Sequence, residues 1–292
     1  MKKNQSSKTA EGVALIRAIE SEKPVNIRIC YDPFARAFIP KISYFLSKLF
    51  INSGIYNRVA QGLIELLIVR DRYIDDCLKG FIREGVDQIV ILGAGFDTRG
   101  YRIDGIEKIK IFEVDHPDTL KIKLKRLKKV IKKEQQNIFH VPVDFNTQSL
   151  AERLLESGYN DQLKTFFIWQ GVTVYLTNEG VDNTLSFIAN RSGEGSSIIF
   201  DFFDNEMLQD TNRPEVKMMH RSAKVTGEGF LFGIDSGTIE VFLSKRGFQD
   251  VENKTAKMLT EIYLTGQNAH HSIPEGFNIV LARVKERNFN QG

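Results

Sequence analysis

Gln88-Ile-Val-Ile-Leu-Gly-Ala-Gly-Phe-Asp-Thr-Arg-Gly-Tyr-Arg102 is the stretch that decides the fold. Its apolar run, Ile89 to Leu92, ends abruptly in Gly93-Ala-Gly95, with Asp97 just behind. A short β-branched run closed by glycines predicts a buried parallel strand and a tight turn. Gly93 and Gly95 carry no Cβ, so a ligand can lie against the backbone there. Free N–H groups in such a turn, with a helix start behind it, favour an anionic or polar group. Taken alone, the turn fits a dinucleotide, a methyl donor or a plain reversal of the chain.

The next strand narrows the choice. Lys108-Ile-Lys-Ile-Phe-Glu-Val-Asp115 alternates into an apolar run and ends on acids. Asp115 lies 22 residues after Gly93 (115 − 93), where the second strand of a βαβ unit places an acceptor for ribose hydroxyls. A carboxylate here can also cap the helix that Pro117 opens. Thr98 stands where a dinucleotide motif needs its third glycine, which counts against NAD.

Four segments in this order, ILGAGFDTRGYRI, FEVDHP, VPVDF and FIWQGVTVYLT, resemble the leucine carboxyl methyltransferase family of class I S-adenosylmethionine-dependent methyltransferases. The similarity is to its bacterial and archaeal small-molecule O-methyltransferase branch, which includes polyketide carboxyl methyltransferases. It takes in TAEGVALIRAIE, YDPFARAFI and RDRYIDD upstream and covers roughly residues 9–203. The resemblance implies an α/β fold: a doubly wound, mostly parallel, seven-stranded Rossmann-like sheet, with an N-terminal helical cap and an insertion after strand five. It implies S-adenosyl-L-methionine as cofactor. Arg70, a better match than Arg72, would bind the cofactor's carboxylate, a bidentate task suited to guanidinium. Gly93, Gly95 and Asp97 would form the turn around the cofactor, and Asp115 would hold its ribose. Asp144 and Phe145, after strand three, would meet adenine. Gln170 stands where the family usually has glutamate. A glutamate would pair with the methionyl ammonium or ribose, whereas Gln170 can only hydrogen-bond, so restoring the acid should tighten binding if the ammonium is its partner.

Composition agrees with a folded chain of 292 residues: 42% hydrophobic, 26% charged. One methyltransferase domain is expected over 1–292, divided into a helical cap (1–80), a cofactor-binding core (81–203), a substrate-side insertion with its helix (204–245) and terminal strands (246–292). A net charge of +3 does not call for nucleic acid. Cys30 and Cys77 have no metal-ligand spacing and suit a reducing cytoplasm. No apolar run is long enough for a signal peptide or a membrane span. The adjacent His270 and His271 make a poor zinc pair, and no metal is expected. The oligomeric state is not legible.

Among the first 80 residues, Thr9 reads as a helix cap and 57–79 as a long helix. Ile42, Phe45, Leu46, Leu49 and Phe50 repeat at helical spacing, which predicts a stripe packed into the core. After Pro117, Leu120, Leu124, Leu127 and Ile131 form a buried stripe covered by lysines, Lys121 to Lys133, that read as a solvated face without aromatics for base stacking. Strands are expected over 137–143, 165–170, 197–203, 248–252 and 278–285, the last inserted antiparallel. Residues 204–233, with a Gly227-Glu-Gly229 turn, are expected to line the substrate pocket.

The expected reaction is methyl transfer to oxygen on a small-molecule acceptor, a carboxylate first. A carboxylate is ionised at neutral pH and needs no general base. No residue is therefore assigned a catalytic role beyond positioning, and Tyr175, past strand four, is the candidate for substrate contact. Two other classes stay open: an NAD-dependent oxidoreductase, and a methyltransferase-fold binding protein that has lost activity, which Gln170 keeps in view.

Overall fold

The computed structural model describes residues 8–53, 62–132, 135–144, 147–226 and 229–286. Seven strands form one sheet: β1 (Gln88–Leu92), β2 (Lys110–Asp115), β3 (Ile138–Pro142), β4 (Thr165–Trp169), β5 (Ser197–Phe203), β6 (Phe248–Thr255) and β7 (Phe277–Val284). Their spatial order is β3-β2-β1-β4-β5-β7-β6. The first five run parallel, and β7 is antiparallel to both β5 and β6. The expected mostly parallel seven-stranded sheet is therefore present. β6 runs three residues past its expected end because a bulge between Gln249 and Glu252 shifts its register and lets pairing with β7 continue.

β1 shows why these residues make a central strand. Its side chains alternate between two apolar layers. Ile89 and Ile91 join the cluster containing Ile74 and Leu78 of α3 (Leu63–Arg83). Val90 and Leu92 join the cluster containing Val181, Leu185 and Ile188 of α7 (Asn178–Asn190). A third cluster holds Ala14, Ala18 and Ile19 of α1 (Lys8–Ser21) against Phe38, Phe96 and Leu127. α1 begins at Lys8, so Thr9 lies inside the helix instead of capping it. Residues 57–61 of the expected long helix fall outside the described residues.

Two expectations need correction. The stripe on α2 (Lys41–Asn52) does not pack into the core: Ile42, Phe45, Leu46, Leu49 and Phe50 are 48–78% exposed. The helix is held instead by Tyr44, which is buried under the Arg36 guanidinium 4.1 Å from its ring, and by the Lys48–Glu22 ion pair. The basic helix is also shorter than expected. α5 ends at Leu127 (Pro117–Leu127), and Lys123, counted with the solvated lysines, is fully buried with its Nζ 2.8 Å from Glu113. Lys121, Lys125, Lys128, Lys129 and Lys132 are exposed.

The remaining helices are α4 (Arg99–Arg102), α6 (Leu150–Glu156), α8 (Asn205–Gln209), α9 (Pro214–Thr226), α10 (Ile239–Ser244) and α11 (Ala256–Tyr263). No helix among the described residues is long and apolar enough to cross a membrane.

Candidate functional site

Parallel strands bring their C-terminal ends to one edge of the sheet. Here the chain leaves β1 toward β2 on one side and reaches β4 on the other, so a crevice opens beyond β1 and β4. A cavity of about 290 Å³ lies there. It is floored by Gly93, Ala94, Gly95, Asp97 and Asp115 from the first two strand ends and by Gln170, Gly171 and Val172 after β4. Arg70 reaches it from α3, Tyr175 from the short turn after β4, and Ala10, Val13 and Arg17 from one face of α1.

Both glycines of the first turn have left-handed backbones, with φ +68° at Gly93 and +44° at Gly95. They serve different neighbours. A Cβ on Gly93 would stand 2.3 Å from a methyl of Val172, so that glycine lets the turns after β1 and β4 close on each other. A Cβ on Gly95 would meet only Ala10 of α1, at 3.4 Å. The Gly95 N–H donates to Asp115 Oδ2 at 2.6 Å, and the His116 N–H donates to Oδ1 at 2.6 Å. Each oxygen keeps acceptor capacity for a ligand hydroxyl. Burial pushes the Asp115 carboxyl up, against these backbone bonds and the nearby Lys123 charge.

Arg70 is buried, with Nη1 2.7 Å from Asp201 Oδ2 and Nε without a hydrogen-bond partner among the described residues. Gly171 leaves room for it, since a Cβ there would lie 3.0 Å from Nη1. Arg72 lies away from the cavity, paired with Asp76 at 2.9 Å. Gln170 donates from Nε2 to Asp71 Oδ1 at 3.2 Å, while its buried Oε1 has no donor among the described residues. Asp71 therefore alters what a glutamate at 170 would meet: a second carboxylate. Tyr175 stacks on Phe230, with ring centroids 5.6 Å apart. Residues 204–233 touch the site through that stack, and none of their described members lines the cavity itself. Gly227 and Glu228, in the expected turn, lie outside the described residues. So does Phe145; Asp144 is half-buried at a turn, with its N–H on Gln148 Oε1 at 3.0 Å, and does not line the cavity.

Two elements of the site were not singled out from sequence. One is Arg17, whose signal was the 10–13–17 spacing that puts Ala10, Val13 and Arg17 on one helical face. The other is a buried charge network behind the cavity. Arg17 pairs with Asp32 at 3.0 Å and donates from Nη2 to Phe96 O at 2.6 Å. Arg99 binds Asp71 at 3.0 Å and Asp75 at 2.7 Å, and also Asp97. Arg102 holds the other oxygen of Asp75 at 2.5 Å. Asp97 thus faces the cavity with a carboxylate already engaged by Arg99.

Burial alone would raise the Asp97 carboxyl, but Arg99, Lys123, the Arg99 backbone N–H and Arg17 outweigh it and hold it at about 2. The folded value lies below the unfolded one, so ionised Asp97 stabilises the fold above pH ~4 by about 2 kcal/mol, and that contribution is lost as pH falls toward ~2. Urea unfolding from pH 6 to 2 should show this acid limb, and Asp97→Asn should flatten it. An equally steep limb in the variant would assign the acid sensitivity to other carboxylates.

Residues 10–189 match the leucine carboxyl methyltransferase family. The chain is 27% identical, over 98% of its length and all of the relative's, to a Bacillus subtilis (strain 168) protein named "Putative S-adenosyl-L-methionine-dependent methyltransferase YktD". It is 31% identical to SCO7813 of Streptomyces coelicolor, described in the same words, over 64% of this chain and 66% of that one. Among solved structures, a DUF574 family protein from Streptomyces avermitilis superposes with TM-score 0.60 at 12% identity, covering 96% of this chain and 98% of that one. A Thermobifida fusca YX protein gives 0.58 at 14% identity, covering 98% and 97%. At such identities the two structures establish a common fold.

Proposed function

Because the chain belongs to the leucine carboxyl methyltransferase family, we propose that it transfers a methyl group from S-adenosylmethionine to an oxygen of a small molecule, in first place a carboxylate. The carrying observation is the cavity at the switch of strand order, which gathers a carboxylate after β2 and, without hydrogen-bond partners among the described residues, an amide oxygen after β4 and an arginine Nε. That donor set suits the cofactor's ribose hydroxyls, ammonium and carboxylate, so the residues present fit the group. Asp115 would accept from the ribose, Arg70 would meet the carboxylate with the guanidinium edge that Asp201 leaves open, and Gln170 Oε1 would accept from the ammonium. Gly93, Gly95 and Asp97 shape the turn beneath it. Asp144 and Phe145 remain the proposed adenine contacts. The cofactor, when bound, supplies an already activated methyl group.

The chain's own part in the reaction is then to hold the acceptor oxygen in line and keep water out. α1 contributes a wall of this site, consistent with the cap proposed for residues 1–80 over the core of 81–203. Tyr175, braced by Phe230, is the proposed substrate contact. The cavity's lining supports a carboxylate as the acceptor's class. His116 is the only histidine among the described residues that line it, and its Nδ1 accepts the Asp118 N–H at 3.2 Å as the cap of α5. No lysine among the described residues lines the cavity. A carboxylate acceptor needs no base.

Incubation with methyl-labelled S-adenosylmethionine and a panel of small carboxylic acids should give a base-labile labelled ester. A base-stable product, an ether or N-methyl amine, would overturn the carboxylate acceptor and leave methyl transfer standing. Saturable binding of NAD in place of S-adenosylmethionine would favour the oxidoreductase reading.

A further inference from the structure

The network behind the cavity is unbalanced. Arg17, Arg70, Arg99 and Arg102 are its four cations, and Asp32, Asp71, Asp75, Asp97 and Asp201 are its five carboxylates. Each of the five has a guanidinium nitrogen within 3.0 Å. Asp71 differs in leaving one of its oxygens without a hydrogen bond among the described residues. It is 1% exposed, and it shares Arg99 with Asp75 and Asp97. Its Oδ2 has no hydrogen bond among the described residues; Arg17 Nη1 stands 3.8 Å away while Arg17 Nε is committed to Asp32. Asp71 is thus a buried carboxylate one side chain back from the cavity, and the arginines around it outweigh its burial and hold its carboxyl below the usual range.

Among the described residues, the only group between Asp71 and the cavity that it hydrogen-bonds is Gln170. An ionised carboxylate can only accept, so it fixes which end of the amide faces it: Nε2 toward Asp71 Oδ1 at 3.2 Å, and Oε1 away. That leaves a buried carbonyl oxygen, at a residue of the cavity wall, without a donor. A hydrogen bond to a carboxylate polarises the amide and strengthens its oxygen as an acceptor.

We propose that Asp71 is a positioning residue for the methyl donor's amino group. It locks the Gln170 amide with Oε1 presented to the α-ammonium, and it supplies from behind the negative charge that the family usually carries as glutamate at position 170. The acid has moved back one side chain, from the wall to its support. This rests on the reading that the cavity holds S-adenosylmethionine. It also accounts for Gln170 without loss of function, because a glutamate beside Asp71 would set two carboxylates about 3 Å apart, as close as the Gln170–Asp71 bond.

The test is a charge swap in the full chain, read by calorimetry with two ligands. S-adenosylhomocysteine carries the α-ammonium; 5′-methylthioadenosine has the same nucleoside and lacks the amino acid. Gln170→Glu alone and Asp71→Asn alone should each weaken S-adenosylhomocysteine by ~10-fold or more. The double variant Asp71→Asn/Gln170→Glu, with one acid returned to the wall, should recover to within ~3-fold of the wild type. Methylthioadenosine should bind all four proteins within ~2-fold. Additive losses in the double variant, or methylthioadenosine weakening in step, would overturn the proposal and leave Asp71 as a structural acid. If Asp71→Asn does not fold, Gln170→Leu decides: selective loss of S-adenosylhomocysteine supports the amide contact, and unchanged binding overturns it. A wild type that binds neither ligand would instead overturn the cofactor reading itself.

Discussion

Arg99→Met is expected to destabilise the fold by about 3–5 kcal/mol, among the largest effects any single substitution here should have. The guanidinium is fully buried, and its three nitrogens serve three acids: Nε on Asp75 at 2.7 Å, Nη2 on Asp71 at 3.0 Å and Nη1 on Asp97. Nη2 also donates to the Asp71 carbonyl at 3.3 Å. Methionine fills the volume but leaves those carboxylates facing one another, with Arg17, Arg70 and Arg102 as the remaining cations. Burial works against the Arg99 charge, and Asp97, Asp75 and Asp71 outweigh it so far that its proton is held more tightly than usual. The loss should depend on pH with a definite sign. In the variant the crowded carboxylates titrate above their unfolded values, so the penalty is full near pH 7 and shrinks as pH falls toward ~5. Urea unfolding at both pH values measures it. Arg99→Lys, which keeps the charge but not the fork, should fall between the two. A loss under 1 kcal/mol that does not change with pH would show that the network is dispensable.

The network also marks where sequence reading stops. Strands β1, β4 and β5 were legible within a residue or so, because a strand buried on both faces is written as an unbroken apolar run. The glycine turn and Asp115 were legible because their spacing is local to one βαβ unit. The partners of Arg99 were not. Asp97 is only two residues away, but Asp71 and Asp75 come from α3, and only packing of distant segments brings them to Arg99. RDRYIDD offered Arg70 as a candidate cofactor contact and gave no sign that Asp71 would stand behind Gln170. The α2 stripe failed for the opposite reason. Helical spacing of Phe45, Leu46 and Leu49 establishes an apolar face, but whether a face is covered depends on neighbours the pattern does not contain. Lys123 was misplaced similarly, since its burial depends on Glu113, ten residues earlier on β2.

Gly93→Ala should cost about 3 kcal/mol, through two separable causes. The left-handed backbone, φ +68°, charges any L-side chain about 1–2 kcal/mol. The rest is steric: the new Cβ would lie 2.3 Å from Val172 Cγ2, far inside contact distance, and Val172 is β-branched with little rotamer freedom to withdraw. Removing that methyl should recover the steric part alone. Gly93→Ala/Val172→Ala is therefore expected to be less destabilised than the sum of the single variants by about 1–2 kcal/mol, a coupling that two turns meeting face to face should show. Gly95→Ala supplies the contrast. Its backbone is also left-handed, but its Cβ would meet only Ala10 at 3.4 Å, so its stability loss should be the smaller of the two. Gly95 adjoins the N–H that fixes Asp115 and lines the cavity, so its substitution should tell more on ligand affinity than on folding. Chemical denaturation of the four proteins, with S-adenosylhomocysteine titrations of Gly95→Ala, separates the two roles. Zero coupling between Gly93 and Val172 would mean that the turns part freely, and Gly93 would then be required for its backbone alone.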